Sequence, residues 1–181
     1  RIFLLSDIVA ISAGYFHALA LKNDGTIWAW GANSSGQLGT GNFTEAHIPT
    51  QITTFTGGIK IAAGRSASYA IKNDNTPWAW GRNDLGQLGD GTNSDRTTPV
   101  QTSGISSIDQ IVAGEQHAIC RQSNGTAWVW GDNSNGDLGD GTTTSRNTPQ
   151  QVPDLCNIAA TTQEIHIAQA AIYPNPNTGA F

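Results

Sequence analysis

The sequence predicts an all-β chain made of three four-stranded sheets, one for each 50 residues. Three observations carry this expectation. The first is an unbroken period: Gly14, Gly64 and Gly114 are spaced by 50, as are Trp30, Trp80 and Trp130, and Pro49, Pro99 and Pro149. All six tryptophans keep this register, the others being Trp28, Trp78 and Trp128. The second is that each period holds four short segments of strand character and none with helical periodicity. The third is composition. Charged residues make up 13%, against about 25% in ordinary domains. Glycine (21 residues), threonine, asparagine and serine fill the gap, as turns require.

The elements follow in order from the first copy. Ile8 to Ser12 reads as a short apolar strand and His17 to Lys22 as a second. Asn23-Asp24-Gly25 is a hairpin turn that needs a positive φ. Copy two carries Asn75 where the others carry Gly25 and Gly125, and asparagine is the next most tolerant residue there. Thr26 to Gly31 is the third strand. A long Gly/Asn/Thr-rich loop leads to a fourth around Pro49 to Ile52. One four-stranded sheet per repeat is the pattern of a propeller blade, so the fold class is a partial β-propeller of three blades, about 8–52, 58–102 and 108–153. Pro77 stands inside the third strand of copy two. Lacking an N–H, it implies that this strand is the outer one or that position 77 faces away from its partner. Trp28 and Trp30 lie two apart, share a face and are expected to pack blade on blade. Trp30, Trp80 and Trp130 should then occupy equivalent, largely buried positions.

The run Ala13-Gly14-x-x-His17-x-Leu19-Ala20-Leu21, then Asp24-Gly25-Thr26, then Trp30-Gly31-x-Asn33-x-x-Gly36-Gln37-Leu38-Gly39-x-Gly41 and Pro49 resembles the regulator-of-chromosome-condensation repeat. Copy two repeats it from Trp80 to Gly91. Copy three departs with Asp137 for the glutamine and Asn124 for the turn aspartate. The resemblance covers residues 8–153 and implies a propeller that normally has seven blades. Three repeats do not close such a ring, so the expectation is a portion of a longer protein or, as the alternative, a protomer that closes by association.

The tail carries a second resemblance. Tyr173-Pro174-Asn175-Pro176-Asn177-Thr178-Gly179-x-Phe181 is similar to the opening of the C-terminal sorting domain of the type IX secretion pathway of Bacteroidetes-group bacteria. Residues 172–181 would be the truncated start of that domain and 157–171 a linker. The resemblance implies an extracellular or cell-surface protein handled by secretion machinery through its tail. No signal peptide stands at Arg1. Cys120 and Cys156 are the only cysteines, and in a secreted chain they suggest one disulfide.

Little in the sequence points to catalysis. His17 and His117 share one repeat position while copy two has Ala67, which reads as a structural imidazole bonded to loop backbone. Asp132, Asp137 and Asp140 sit at the wrong spacing for a helix-loop-helix calcium site, so the expectation is no metal. Arg96 and Arg146 can each brace a loop through Asp90 and Asp140. The glycine-rich loops lack a lysine in phosphate-loop spacing and start no helix, and no serine sits in a nucleophile elbow. No cofactor is expected. A net charge of −5 disfavours nucleic acid, and no apolar run approaches the ~18 residues of a membrane span.

Loop positions, by contrast, vary between copies. Tyr15-Phe16, Arg65-Ser66 and Glu115-Gln116 follow the shared glycine and differ completely, as do Ala32, Arg82 and Asp132. Constant framework with changing loops is the habit of a binding scaffold. The sequence therefore predicts a non-enzymatic propeller that meets a protein or glycan through Tyr15, Phe16, Arg65, Arg82, Glu115 and Asp132. Two alternatives come from the resemblance: guanine nucleotide exchange on a small GTPase, and inhibition of a secreted enzyme.

Overall fold

The computed structural model describes residues 5–152. Cys156, the 157–171 linker and the 172–181 sorting motif lie outside the described residues. Within them are twelve strands and no helix. The first sheet holds β1 (Ile8–Ala13), β2 (His17–Lys22), β3 (Ile27–Gly31) and β4 (Ala46–Gln51). The second holds β5 (Gly58–Ala63), β6 (Ala67–Lys72), β7 (Pro77–Gly81) and β8 (Arg96–Gln101). The third holds β9 (Ile108–Ala113), β10 (His117–Gln122), β11 (Ala127–Gly131) and β12 (Arg146–Gln151). Each sheet is an antiparallel meander in chain order, the arrangement that short connections dictate.

The register decides which side chains meet the next blade. Ile11 pairs with Ala20 and Ala13 with Ala18 across β1 and β2, while Ala20 pairs with Trp28 and Ala18 with Trp30 across β2 and β3. Opposed residues share a face. The leading face of each blade therefore carries the tryptophans, and the trailing face carries Leu19, Leu21, Ile27 and Ala29. Blade one's trailing face packs on Ala70 and Trp80, with Trp78 at the margin, of blade two's leading face. Tyr69, Ile71, Ala79 and Leu88 of blade two pack in turn on Ala118, Cys120 and Trp130 of blade three. The core is thus two stacked interfaces between three sheets.

Three expectations need correction. The third strand is internal, between the second and fourth. Pro77 fits because it is the first residue of β7. Its carbonyl accepts from Thr102 N (3.0 Å), so its missing N–H lies on the β8 side, away from β6, where the ladder is ending. The fourth strand begins at Ala46, before the proline that suggested it. Finally, Trp80 and Trp130 are fully buried, but Trp30 is only half-buried, because among the described residues no blade lies in front of it. The turn reading stands: φ is 78° at Gly25, 62° at Asn75 and 91° at Gly125.

Candidate binding site

Each first strand ends in an alanine and is followed by a glycine, and the turn there sits at one end of the blade. Tyr15 N donates to Arg65 O (3.3 Å) and Arg65 N to Glu115 O (3.0 Å). Three successive turns are thereby tied into one row by main chain alone. The glycines permit this approach. A Cβ at Gly14 would lie 2.4 Å from Gly64 O, and one at Gly64 would lie 2.9 Å from Gly114 O.

The side chains of that row form a continuous patch. The Arg65 guanidinium is ion-paired with Glu115 and lies 5.2 Å from the centre of the Tyr15 ring. Tyr15 packs edge-on against Phe16, ring centres 4.3 Å apart. Tyr15 and Phe16 are 63% and 68% exposed, well beyond what a packing role needs. Beneath them is an open cavity of about 480 Å³ lined by Gly14, Tyr15, Gly64, Arg65, Gly114 and Glu115.

Arg82 and Asp132 reach the same end by another route. Ala32 N, Arg82 N and Asp132 N donate to the carbonyls of Phe16, Ser66 and Gln116 (2.8, 2.9 and 2.9 Å), so the long loop of each blade starts beside its short turn. These two side chains serve their own loops. Arg82 grips Asp84 through Nε at 2.7 Å, and Asp132 accepts from Ser134 N at 3.0 Å. The structure brings Tyr15, Phe16, Arg65 and Glu115 together and sets Arg82 and Asp132 farther out on the same rim.

The long loops are built around an asparagine whose task the sequence reading missed. Asn83 Oδ1 accepts from Leu88 N (2.9 Å) and its Nδ2 donates to Thr92 O (3.0 Å). Asn33 and Asn133 repeat the first bond at 2.9 Å, and all three are buried. Their recurrence every 50 residues was the available signal. Arg96 and Arg146 brace these loops as expected, through Asp90 (2.8 Å) and Asp140 (3.0 Å). Hydrogen bonds from Thr142 first, then Arg146 and Asn133, draw the Asp140 carboxyl down to about 2.

His17 differs from its expected role. Its Nε2 lies 2.8 Å from Ser68 Oγ of the next blade, not on loop backbone. Ser68 Oγ donates to Gln37 O (2.8 Å), so the imidazole donates from Nε2 and keeps Nδ1 unprotonated. Burial pulls its pKa down to about 4. Cys120 is 1% exposed, and burial pushes its thiol up to about 12. Cys120 is therefore expected to resist alkylation until the protein unfolds. Thiol titration of the unfolded, unreduced chain tests the Cys120–Cys156 bridge: two reactive thiols would end that idea.

The description "Regulator of chromosome condensation (RCC1) repeat" belongs to two family profiles that match the chain. One matches residues 8–37, 59–87 and 108–137; the other matches 24–71, 74–121 and 124–169. Among curated proteins, the chain is 38% identical over 60 residues to the probable E3 ubiquitin-protein ligase HERC6 of Homo sapiens, covering 32% of this chain and 6% of that protein. It is 43% identical over 47 residues to the ultraviolet-B receptor UVR8 of Arabidopsis thaliana, covering 26% and 11%. Human WBSCR16 superposes with a TM-score of 0.74 at 24% identity, over 84% of this chain and 40% of that one. Prp20p of Saccharomyces cerevisiae, whose structure is described with its binding to Gsp1p and histones, gives 0.74 at 21%, over 83% and 39%. The chain therefore spans about two fifths of these two solved structures and only 6% and 11% of the two curated relatives.

Proposed function

The chain belongs to the regulator of chromosome condensation repeat family, and from that premise we propose that it is a non-enzymatic scaffold that binds a protein through the Tyr15–Phe16–Arg65–Glu115 rim. One observation carries the reading. The bonds that hold the row together are main-chain bonds, while the side chains above it are exposed and differ in every copy. Side chains freed from folding duty in this way are available for contact. An aromatic pair beside an arginine is the composition of interface anchors. The ion pair is exposed and contributes little to stability, so a partner's carboxylate can take Arg65 from Glu115 at small cost. A glycan stacked on Tyr15 and Phe16 is the second occupant of the same rim.

Replacing Tyr15, Phe16 and Arg65 together by alanine is expected to leave circular dichroism and the unfolding midpoint within error. The same variant should weaken partner binding by at least about tenfold, since each lost anchor is worth more than ~1 kcal/mol. An unfolded triple variant, or unchanged binding in affinity capture, would sink the proposal. The exchange-factor reading rests on the family alone. Acceleration of labelled-nucleotide release from a small GTPase would move it ahead, and inhibition assays against secreted hydrolases address the third reading. The extracellular placement rests on the Tyr173-Pro174-Asn175-Pro176-Asn177-Thr178-Gly179 string, and fractionation of the producing cells tests it.

A further inference from the structure

The sequence has two Asn-Gly pairs, Asn124-Gly125 and Asn135-Gly136, both in the third repeat. The first stands at the tip of the β10–β11 hairpin, where the other repeats carry Asp24-Gly25 and Asp74-Asn75. In those two turns the carboxylate takes two bonds. Asp24 Oδ1 accepts from Thr26 N (3.0 Å) and Thr26 Oγ1 (2.6 Å), and Asp74 Oδ1 accepts from Thr76 N and Oγ1 at the same distances. The hydroxyl bond first, then the main-chain bond, holds both carboxyls below the ordinary aspartate range. Each threonine hydroxyl in turn accepts from an indole, Trp28 Nε1 at 3.3 Å and Trp78 Nε1 at 3.0 Å. Repeat three keeps half of this. Asn124 Oδ1 accepts from Thr126 N (2.9 Å), but among the described residues no hydroxyl bond from Thr126 accompanies it, and Trp128 Nε1 donates to Gln122 Oε1 (3.0 Å). The turn is shaped for an aspartate and holds the amide.

Three features make that amide convertible. Gly125 has no side chain to hinder the approach of its own nitrogen to Asn124 Cγ. The Thr126 N–H on Oδ1 draws electron density from that carbon, which is the atom attacked. Asn124 and Gly125 are both exposed. Asp24 and Asp74, each with a following blade beside it, are exposed too, so the exposure belongs to the position. The Gly125 nitrogen is tied to Gln122 O (2.9 Å), a single turn bond at a hairpin tip that opens without disturbing the ladder. Asn135 is exposed as well, but Gly136 N is bonded to Asn133 O. Asn133 is the buried hub whose side chain clamps the long loop through Leu138 N (2.9 Å) and Thr142 O (3.0 Å), and freeing Gly136 N means loosening that hub.

We infer that Asn124 is a self-modification site, which deamidates through a cyclic imide to the aspartate that the other two repeats encode. Gly125 N loses its proton and attacks Asn124 Cγ; the new C–N bond closes the imide, and the side-chain nitrogen leaves as ammonia. Water then cleaves the Cγ–N bond, which restores the main chain and leaves a carboxyl group at Cγ, whose proton passes to the ammonia. One water is consumed, one ammonium ion is released and one negative charge is gained. The fold favours opening on this side, because the product regains the Gly125 N bond to Gln122 O and offers the Thr126 hydroxyl the acceptor that Thr26 and Thr76 already have.

The folded 181-residue chain, held at neutral and at mildly alkaline pH, should convert at a rate that rises with hydroxide. Fragmentation of the tryptic peptide spanning 122–146 should place the amide-to-acid mass gain at position 124, at least about tenfold faster than at position 135. On ion exchange the product should elute with the Asn124→Asp variant. Asn124→Gln, whose longer side chain would have to close a larger ring, should stay unmodified at this site. Three results would each overturn the inference. They are a mass gain that comes first at Asn135, no gain at Asn124 while a peptide of the same turn sequence converts fully, and a product that elutes apart from Asn124→Asp and is a substrate for isoaspartyl methyltransferase.

Discussion

Trp80→Ala is expected to lower the unfolding free energy by about 3–5 kcal/mol, the range for truncating a large buried aromatic. The side chain is fully buried, with Phe55 at 6.1 Å between ring centres and the Gly39 loop against its indole. The lost hydrogen bond adds little, because Gln37 O also accepts from Ser68 Oγ and keeps a partner. The cost is the cavity, which rigid strands on both sides cannot close. Trp30→Ala removes the same side chain from a half-buried site and should cost clearly less in the isolated chain. Denaturant unfolding followed by circular dichroism compares the two directly. Equal losses would mean that the blade interfaces do not carry the core.

Acidification should destabilise the protein through His17. An unfolded imidazole titrates near pH ~6.5, whereas burial holds His17 at about 4. Between these values the unfolded chain binds a proton that the folded chain refuses, so stability falls as pH drops through this window and levels off below it. The full separation corresponds to about 3 kcal/mol. The aspartates with lowered pKa values, such as Asp140 at about 2, act only at lower pH and do not confuse the window. Denaturant midpoints at pH ~7 and ~4.5 measure the loss, and His17→Asn should flatten the slope between them. A wild-type midpoint that is unchanged over that range would contradict the neutral, buried imidazole.

Much of the fold was legible because it is local. The first three strands of each blade, the hairpin turns and the shared tryptophan face follow from spacing, from Asn75 and the glycines at positive φ, and from the two-residue period of a strand. What escaped depends on neighbours. Trp30 and Trp80 occupy the same repeat position, yet one is half-buried and the other enclosed, since burial is decided by the adjoining blade. His17 finds Ser68 only because copy two has a hydroxyl where Ala18 and Ala118 stand. That contact crosses 51 positions and obeys no local rule. The rim was half legible. Variation between copies marked Tyr15, Arg65 and Glu115, but the contact of Arg65 with Tyr15 and Glu115 required the main-chain row that aligns them. The buried asparagines lay in plain view as a constant polar position, and only the hydrogen bonds of the loop gave them a task.

Trp80 and Trp130 each read a carbonyl of the blade before them and ignore the side chain on that residue. Every repeat therefore offers its successor the same handle whatever its local spelling, and Asp137 in place of glutamine leaves the handle in place. In hereditary terms the repeats are interchangeable parts. Duplication, loss or shuffling of whole units by unequal recombination preserves this tryptophan–carbonyl junction, though not the His17–Ser68 contact of the first two blades, so copy number can change in a single event while the rim residues drift one repeat at a time.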